Sequence, residues 1–295
     1  MSVVLITGAA TGIGNLTAKA LALAGHDVWA SMRDPQGRNT LHAQELLDAP
    51  TGDGGQLCTV DLDVTSEDSA RAAVAQVIEQ SGRLDVVIHN AGHLVIGYVE
   101  AFTTEDIQHL FDVNTFGAHR LNRAVLPHMR ERRTGTLLYV GSTIPITTPP
   151  FLGPYVASKA AMDALALTTS YELNPLGIET VIVMPGAFTQ GTEHYPNAGH
   201  AHDSDVATAY SQLDPLVARN DQATEALFDP TENADPATVA DEITRILALP
   251  VGAKPFRSVI DFTNSGVAEV NAVIQDAREN FVERMGYTEL LHVRP

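Results

Sequence analysis

Seven apolar runs, each followed by a polar or helical segment, constrain the fold of this chain more than any other feature. The runs are SVVLITG (2–8), DVWASM (27–32), QLCTVDLDV (56–64), LDVVIHNAG (84–92), GTLLYVGS (135–142), IETVIVMPG (178–186) and FRSVIDF (256–262). Most are rich in Val, Ile and Leu without polar alternation, as expected for strands covered on both faces. With helices between them, they predict an α/β fold: a doubly wound parallel sheet of about seven strands with helices on both faces.

Helical periodicity occupies the segments between these runs. The predicted helices cover residues 15–25, 66–82, 104–133, 155–173 and 235–249. Gly25, Gly82 and Gly135 each follow a predicted last turn, where glycine readily adopts the left-handed conformation that ends a helix.

Residues 187–235 interrupt this alternation. The stretch is irregular and acidic, with a short helical pattern near residues 204–219. A long loop inside a compact domain is usually a binding element, so we expect a substrate lid here. We find no domain boundary and expect one domain over residues 1–295, with a C-terminal extension after about residue 262.

Charge and cysteine content restrict the partners and the compartment. The formal net charge of −18 argues against nucleic acid as a partner, because phosphates would be repelled. Cys58 is the single cysteine, which excludes an internal disulfide and is typical of a reducing compartment. The first apolar run is too short to span a membrane. We therefore expect a soluble cytoplasmic protein with no membrane partner.

A glycine-rich turn, LITGAATGIG, stands between the first predicted strand and the first helix. Gly8, Gly12 and Gly14 follow the pattern T-G-x-x-x-G-x-G. Glycine allows a tight turn and lets backbone N–H groups approach a pyrophosphate at a helix N-terminus. The same spacing occurs in ordinary turns, but this position in the chain favours a dinucleotide site.

The end of the second strand bears on the choice of dinucleotide. NAD-preferring sites usually have an acidic residue there, which binds the ribose hydroxyls. This chain has Met32 at that position and Arg33 after it. Arginine can pair with a 2′-phosphate, so we expect NADP(H) to be preferred, with NAD(H) as the alternative. A surface arginine paired with Asp34 is the purely structural alternative.

A tyrosine and a lysine lie four residues apart in GPYVASKAAMD. At helical spacing, Tyr155 and Lys159 would point the same way. Taken alone, such a pair is more often ordinary helix surface.

Further motifs follow the other strands. They are HNAG (89–92), Asn114 in a long helix, Ser142 at the end of the fifth run, and MPG (184–186). Together with the glycine-rich turn and the Tyr–Lys pair, and in this order, they resemble the short-chain dehydrogenase/reductase family. The similarity covers roughly residues 3–192, with a looser match at 236–262.

The resemblance implies a Rossmann-type fold and roles for four catalytic residues. Tyr155 would be the general acid/base, and Lys159 would bind the nicotinamide ribose and help to lower the tyrosine pKa. Ser142 would hydrogen-bond the substrate carbonyl oxygen. Asn114 would hold a water molecule that links Lys159 to solvent as a proton relay.

The resemblance also implies cofactor contacts along the carboxyl ends of the strands, with Asp63 and Val64 near the adenine. Besides Tyr155 and Lys159, the set comprises Thr7, Gly8, Thr11, Gly12, Ile13, Gly14, Arg33, Asp63, Val64, Asn90, Ala91, Gly92, Pro185, Gly186, Thr189 and Thr192.

Two motifs depart from the family pattern. Gln190 stands where many relatives have the threonine that contacts the nicotinamide amide, so either Thr189 or Thr192 would take that role. Ala10 and Thr11 stand where many NADP(H)-using relatives have a basic residue, so 2′-phosphate specificity would depend mainly on Arg33.

The residues that border the expected reaction centre are mostly apolar. Leu94, Val95, Ile144 and Phe151 are the candidate pocket residues, and they favour a small hydrophobic carbonyl or alcohol as substrate. The segment MRD after the second strand is similar to the steroid- and retinol-converting branches of the family.

Three histidines of the acidic lid have no regular spacing. We expect His194, His200 and His202 to be solvated loop residues and expect no metal site.

The leading hypothesis is an NADP(H)-dependent alcohol dehydrogenase or carbonyl reductase. The alternatives are a cofactor-binding sensor of the same fold without turnover, and a sugar-nucleotide epimerase or dehydratase. The resemblance further implies a homo-oligomer, a dimer or tetramer, associating through long helices such as 104–133 and 155–173.

Overall fold

A single parallel sheet organises the chain in the computed structural model, which describes residues 1–229 and 231–294. Pro230, within the expected lid, lies outside the described residues. The strands are β1 (Val3–Ile6), β2 (Asp27–Met32), β3 (Gln56–Asp61), β4 (Val86–His89), β5 (Gly135–Val140), β6 (Ile178–Pro185) and β7 (Arg257–Ile260). They lie in the order β3-β2-β1-β4-β5-β6-β7 and every pair is parallel. The predicted seven-stranded, doubly wound sheet is confirmed.

Helices cover both faces of this sheet. In the described residues they are α1 (Gly12–Leu23), α2 (Thr40–Leu47), α3 (Glu67–Ser81), α4 (Thr104–Phe111), α5 (Gly117–Arg132), α6 (Ile144–Thr147), α7 (Gly153–Leu173), α8 (Ser204–Ala209), α9 (Asp214–Val217), α10 (Asn220–Glu225), α11 (Ala237–Leu247) and α12 (Val267–Arg284). None of them is long and apolar enough to cross a membrane.

The core has two layers, one on each side of the sheet. Val3 and Leu5 of β1 join the layer formed with α3, α5 and α7. Val4 and Ile6, whose side chains point the other way, join the layer formed with α1 and α11. Both faces of the strand are therefore buried, which explains why its sequence lacks polar alternation.

The strand order reverses at β1. The chain builds outward from β1 to β2 and β3, then returns to the other side of β1 with β4. Open α/β sheets bind ligands at the carboxyl ends of the strands beside such a reversal. The ends of β1 and β4 are therefore the first place to look for a site.

The structure corrects several helix predictions. The segment 104–133 is helical but not uniform, because Asp112–Phe116 is a π-helical turn between α4 and α5. Gly135 does not end a helix: it begins β5, and Arg133, with φ +52°, ends α5 instead. The helices α2 and α12 were not predicted, since α2 is short and α12 buries few of its residues.

Candidate active site

The turn after β1 is tied to the end of β4 by a compact set of hydrogen bonds. Thr7 Oγ1 accepts from the backbone N–H groups of Asn90 and Ala91, each at 2.9 Å. In return, Asn90 Nδ2 donates to the carbonyl oxygens of Thr7, at 2.9 Å, and Gly8, at 3.0 Å. The motifs around Gly8 and Asn90, more than 80 residues apart in the sequence, thus form one unit.

Two glycines of this turn are required by close packing and backbone conformation. A Cβ on Gly14 would lie 2.5 Å from both Asn90 Nδ2 and the carbonyl oxygen of Gly8. Gly12 has φ +56°, a left-handed conformation that favours glycine.

The N-terminus of α1 follows directly, with Ile13 in its first turn. Its N-cap residue, Thr11, is extended and makes no side-chain capping bond. The first backbone N–H groups of α1 therefore have no side-chain cap. Together with the glycine-rich turn, they can donate hydrogen bonds to a pyrophosphate.

The ends of β2 and β3 bring positive charge to one place. Met32 is buried and Arg33 is exposed. Although burial acts to raise the pKa of Asp63, hydrogen bonds from Thr65 and the charges of Arg33 and Arg38 lower it. Both arginines therefore lie close to Asp63.

Arg33 makes no ion pair with any described residue, so the predicted alternative, a pair with Asp34, does not occur. Asp34 Oδ2 instead accepts a hydrogen bond from the backbone N–H of Arg38, at 3.1 Å.

The helix α7 carries Tyr155 and Lys159 on the same buried face. Each residue is only 6% exposed. Lys159 Nζ donates to the carbonyl oxygen of Val140, at 3.1 Å, and lies 5.9 Å from the centre of the Tyr155 ring. Because Val140 ends β5, this hydrogen bond joins the helix to the carboxyl edge of the sheet.

Burial is the main influence on the pKa values of Tyr155 and Lys159 in this arrangement. Burial, with a smaller contribution from Tyr195, raises the pKa of Tyr155. Burial also lowers the pKa of Lys159 to about 8. The ammonium group donates to the carbonyl oxygen of Val140, and its effect on the tyrosine pKa stays a prediction.

Asn114 lies in the π-helical turn, where it connects three elements. Its Oδ1 accepts from the backbone N–H of His93 at 2.9 Å, and its Nδ2 donates to the carbonyl oxygen of His93 at 3.0 Å and to Ser158 Oγ at 3.1 Å. A Cβ on Gly92 would lie 3.1 Å from Asn114 Oδ1 and 3.7 Å from Lys159 Nζ. Asn114 and Lys159 therefore approach the same point, and the water relay stays a prediction.

Ser142 follows β5 and is half-buried. Its Oγ accepts a hydrogen bond from the backbone N–H of Ile144, at 3.2 Å. The hydroxyl proton can still be donated to another oxygen.

The structure contradicts the prediction that His194 is a solvated loop residue. Its Nε2 lies 3.1 Å from Tyr155 Oη, and the two rings meet at a centroid distance of 5.6 Å. Burial, followed by the charges of Lys159 and His93, lowers the pKa of His194 to about 4, so the imidazole is neutral at pH 7. The fold of the lid packs this side chain against the phenol.

The other two lid histidines are exposed, as expected. His202 forms an ion-pair contact with Asp106, and His200 lies near the carbonyl oxygen of Ile96. No spacing or neighbouring motif in the sequence distinguished His194 from them.

Of the two candidate threonines after Pro185, Thr192 is the one that contacts the glycine-rich turn. Its Cβ lies 3.8 Å from the position a Cβ would take on Gly12. Gly186 packs against Asp261, where a Cβ would lie 2.4 Å from Oδ1. Among the described residues, Thr189 has no atom within 4 Å of that position on Gly12.

Three of the four candidate pocket residues lie together. Leu94, Val95 and Ile144 belong to an apolar cluster around Tyr155, to which Phe102, Leu110, Leu152 and Tyr195 also belong. Phe151 lies apart from it, beside a cavity of about 400 Å³. The cavity is lined by Gly97, Tyr98, Val99, Glu100, Phe151, Tyr210 and Leu213.

The lid is attached to the segment after β4. Val95 and Gly199 form a parallel bridge. Further out, Tyr98 donates to Asp214 at 2.7 Å and stacks on Tyr210 at a centroid distance of 5.0 Å. These contacts fix part of the expected lid, between Gly199 and Asp214, against the segment after β4.

Comparison with known proteins adds an independent finding. A family model described as short chain dehydrogenase matches residues 2–201. A 3-ketodihydrosphingosine reductase of Bacteroides thetaiotaomicron is 34% identical over 189 residues, 64% of this chain and 65% of the relative. Human retinol dehydrogenase 8 is 36% identical over 191 residues, 62% of this chain and 58% of the relative. Human 17-beta-hydroxysteroid dehydrogenase type 1 is 36% identical over 190 residues, 63% of this chain and 56% of the relative. The chain thus matches less than two thirds of the length of each.

Solved structures agree over more of the chain. A short-chain dehydrogenase from Streptomyces avermitilis is 26% identical with a TM-score of 0.73, covering 97% of this chain and 98% of that one. An alcohol dehydrogenase from Thermococcus sibiricus, complexed with 5-hydroxy-NADP, is 25% identical with a TM-score of 0.69, covering 89% and 97%.

Proposed function

This chain belongs to the short-chain dehydrogenase family of oxidoreductases, and from that premise we propose that it interconverts a hydrophobic alcohol and its ketone or aldehyde with NADP(H). The buried pair of Tyr155 and Lys159, at the same carboxyl edge of the sheet as the glycine-rich turn, is the observation that carries the proposal. Buried titratable side chains at the carboxyl edge of an open sheet are typical of an active site.

The glycine-rich turn and the two arginines support the choice of cofactor. The uncapped N-terminus of α1 would receive the pyrophosphate. Arg33 and Arg38, both exposed and close to Asp63, would bind a 2′-phosphate at the adenosine end. When bound, NADPH would supply a hydride to the carbonyl carbon of the substrate.

The protein's own residues would handle the proton and the orientation. Tyr155 would donate its phenolic proton to the substrate oxygen, and Ser142 would hydrogen-bond the same oxygen and hold the carbonyl in place. Lys159 would hold the cofactor ribose from the same face of α7. A charged ammonium there, close to a bound ribose, would favour the phenolate that forms when the tyrosine gives up its proton.

The substrate class follows from the apolar cluster around Tyr155. Its members contribute no charged side chain, and Leu94 and Val95 are almost fully buried beside the phenol. A carbonyl compound with aliphatic or aromatic substituents would bury apolar surface there, whereas a carboxylate or phosphate would be desolvated without a partner. The relatives named for retinol and hydroxysteroids support the same class.

We also propose that residues 187–235 act as the substrate lid and that the chain forms a homo-oligomer. Phe116, next to α5, and Leu165, on α7, are large apolar side chains that remain 46% and 45% exposed. They would be covered if these helices met a second copy. Cys58, the single cysteine, is compatible with the reducing cytoplasm.

Oxidation of NADPH by the purified protein with a panel of hydrophobic ketones and aldehydes tests the proposal, with NADH in parallel. We expect turnover with NADPH, slower turnover with NADH, and no turnover with short keto acids. Binding of NADPH without oxidation on any member of the panel would support the cofactor-binding sensor instead.

A further inference from the structure

His194 contacts the atom that exchanges the proton in the proposed reaction. Its Nε2 lies 3.1 Å from Tyr155 Oη, within hydrogen-bond distance, and the rings pack edge to face. No other described side chain makes a hydrogen bond to this hydroxyl group. The contact joins the lid directly to the reacting atom.

The two nitrogens of the imidazole face different surroundings. Nε2 points to the phenol, whereas Nδ1 has no hydrogen-bond partner among the described residues and is not one of the fully buried unpartnered atoms. Nδ1 therefore retains access to water. A neutral imidazole in this position can take a proton on one side and release one on the other.

The position of His194 is set by the lid and by the cofactor end of the site. Its backbone N–H donates to Thr192 Oγ1, at 3.5 Å, and Thr192 lies against Gly12 of the glycine-rich turn. The bridge between Val95 and Gly199 holds the following part of the lid. The contacts that fold this part of the lid therefore also place the imidazole.

The charged and titratable groups that face the pair come from three elements. Lys159 approaches from α7, His93 from the segment after β4, and Tyr195 from the lid itself. Lys159 and His93 disfavour a lasting positive charge on His194, so the imidazole serves as a neutral carrier and not as a counter-ion.

On the basis of the proposed function, we propose that His194 is a further catalytic residue that provides a second route, besides the predicted relay through Lys159 and Asn114, by which a proton returns to Tyr155. The Oη–H bond of Tyr155 breaks as its proton passes to the substrate oxygen, which leaves a phenolate. The Nε2–H bond of His194 then breaks and the Oη–H bond forms again, while Nδ1 takes a proton from a water molecule and bulk solvent neutralises the hydroxide that is left. The imidazole stays neutral overall, with its proton moved from Nε2 to Nδ1. After the product leaves, solvent that enters the vacated site protonates Nε2 and removes the proton from Nδ1, which restores the first tautomer.

Steady-state reduction by His194→Ala and His194→Gln separates this role from a structural one. We expect kcat to fall about 10-fold in both variants, because the relay through Lys159 and Asn114 remains and glutamine can hydrogen-bond but cannot pass a proton through. The KM for NADPH should stay unchanged. Added imidazole should restore kcat of His194→Ala in proportion to its concentration. His200→Ala, which removes an exposed lid histidine, is the matched control and should behave as the wild type.

A second readout does not depend on turnover. The ultraviolet absorbance of tyrosinate, taken as the difference between the wild type and Tyr155→Phe with NADP⁺ bound, follows the ionisation of Tyr155 alone. An Nε2–H donor stabilises the phenolate, so we expect its midpoint to move to higher pH in His194→Ala and to stay in place in His200→Ala.

Wild-type kcat in His194→Gln, a higher kcat in His194→Ala, or an unmoved tyrosinate midpoint would each overturn the role of His194. A higher kcat would mean that the imidazole blocks the oxygen site. Failure of the proposed function looks different: the wild type then reduces no ketone, while the tyrosinate midpoint still reports whether His194 acts on the phenol.

Discussion

Replacing Lys159 by methionine should stabilise the protein near neutral pH while abolishing turnover. The side chain is buried, and burial lowers its pKa from 10.5 to about 8. At 1.36 kcal/mol for each pH unit, the cost of keeping the charged form buried is about 3 kcal/mol. Methionine has a similar length without the charge, but it loses the hydrogen bond to Val140, worth about 1 kcal/mol. The free energy of unfolding should therefore rise by about 2 kcal/mol at pH 7.

The effect should change sign with pH. Between pH 8 and 10.5 the unfolded chain still binds the proton that the folded chain has released, so wild-type stability from this residue rises with pH. Above pH 10.5 the lysine is neutral in both the folded and the unfolded chain. Burial of a charge at this position then no longer lowers the free energy of unfolding. Only the lost hydrogen bond then remains, and the methionine variant should be less stable than the wild type by about 1 kcal/mol.

Urea denaturation of both proteins across pH 7 to 10.5 measures this difference, with Lys254→Met as the control. Lys254 is similarly buried, with its side chain 7% exposed, but it pairs with Glu179, which is 5% exposed. Removing it leaves a buried carboxylate with no cation beside it and only the backbone N–H of Gly252 as a hydrogen-bond partner, which should destabilise the fold by about 3–5 kcal/mol. A Lys159→Met variant that is destabilised at pH 7, or whose difference from the wild type does not vary with pH, would refute the reasoning.

Three further substitutions test other parts of the site. Tyr155→Phe should keep its affinity for NADPH, measured by cofactor fluorescence, and its kcat should fall at least about 100-fold, because only proton transfer is removed. Retained turnover would contradict the catalytic role of Tyr155. Arg33→Ala should weaken NADPH binding by about 10-fold or more and leave NADH binding nearly unchanged, since a charge-assisted bond to the 2′-phosphate is worth about 1.5–3 kcal/mol. Equal losses of affinity for NADPH and NADH would remove the basis for NADP preference. Gly14→Ala should lower the thermal midpoint and weaken the binding of both NADPH and NADH, because the new Cβ would lie 2.5 Å from Asn90 and from the carbonyl oxygen of Gly8. Such overpacking costs about 1–3 kcal/mol, and an unchanged midpoint would mean that the turn can widen.

Much of the fold followed from local patterns. The apolar runs predicted all seven strands, because burial on both faces leaves a direct mark on the sequence. The short helix α2 and the largely exposed α12 escaped prediction, since neither buries a continuous apolar stripe. The π-helical turn at Asn114 was not predicted either, because Asn114 bonds there to His93 and Ser158, which are distant in the chain.

The sequence by itself determined the order of strands and helices, the glycine-rich turn, and the placing of Tyr155 and Lys159 on one helix face. Each of these depends on spacing within a single element. Only the tertiary structure decided that His194 lies on the tyrosine hydroxyl, that Thr192 contacts the glycine turn, and that Phe151 lies outside the apolar cluster. These outcomes depend on how the lid folds back over the sheet, and no periodicity in residues 187–235 records that path.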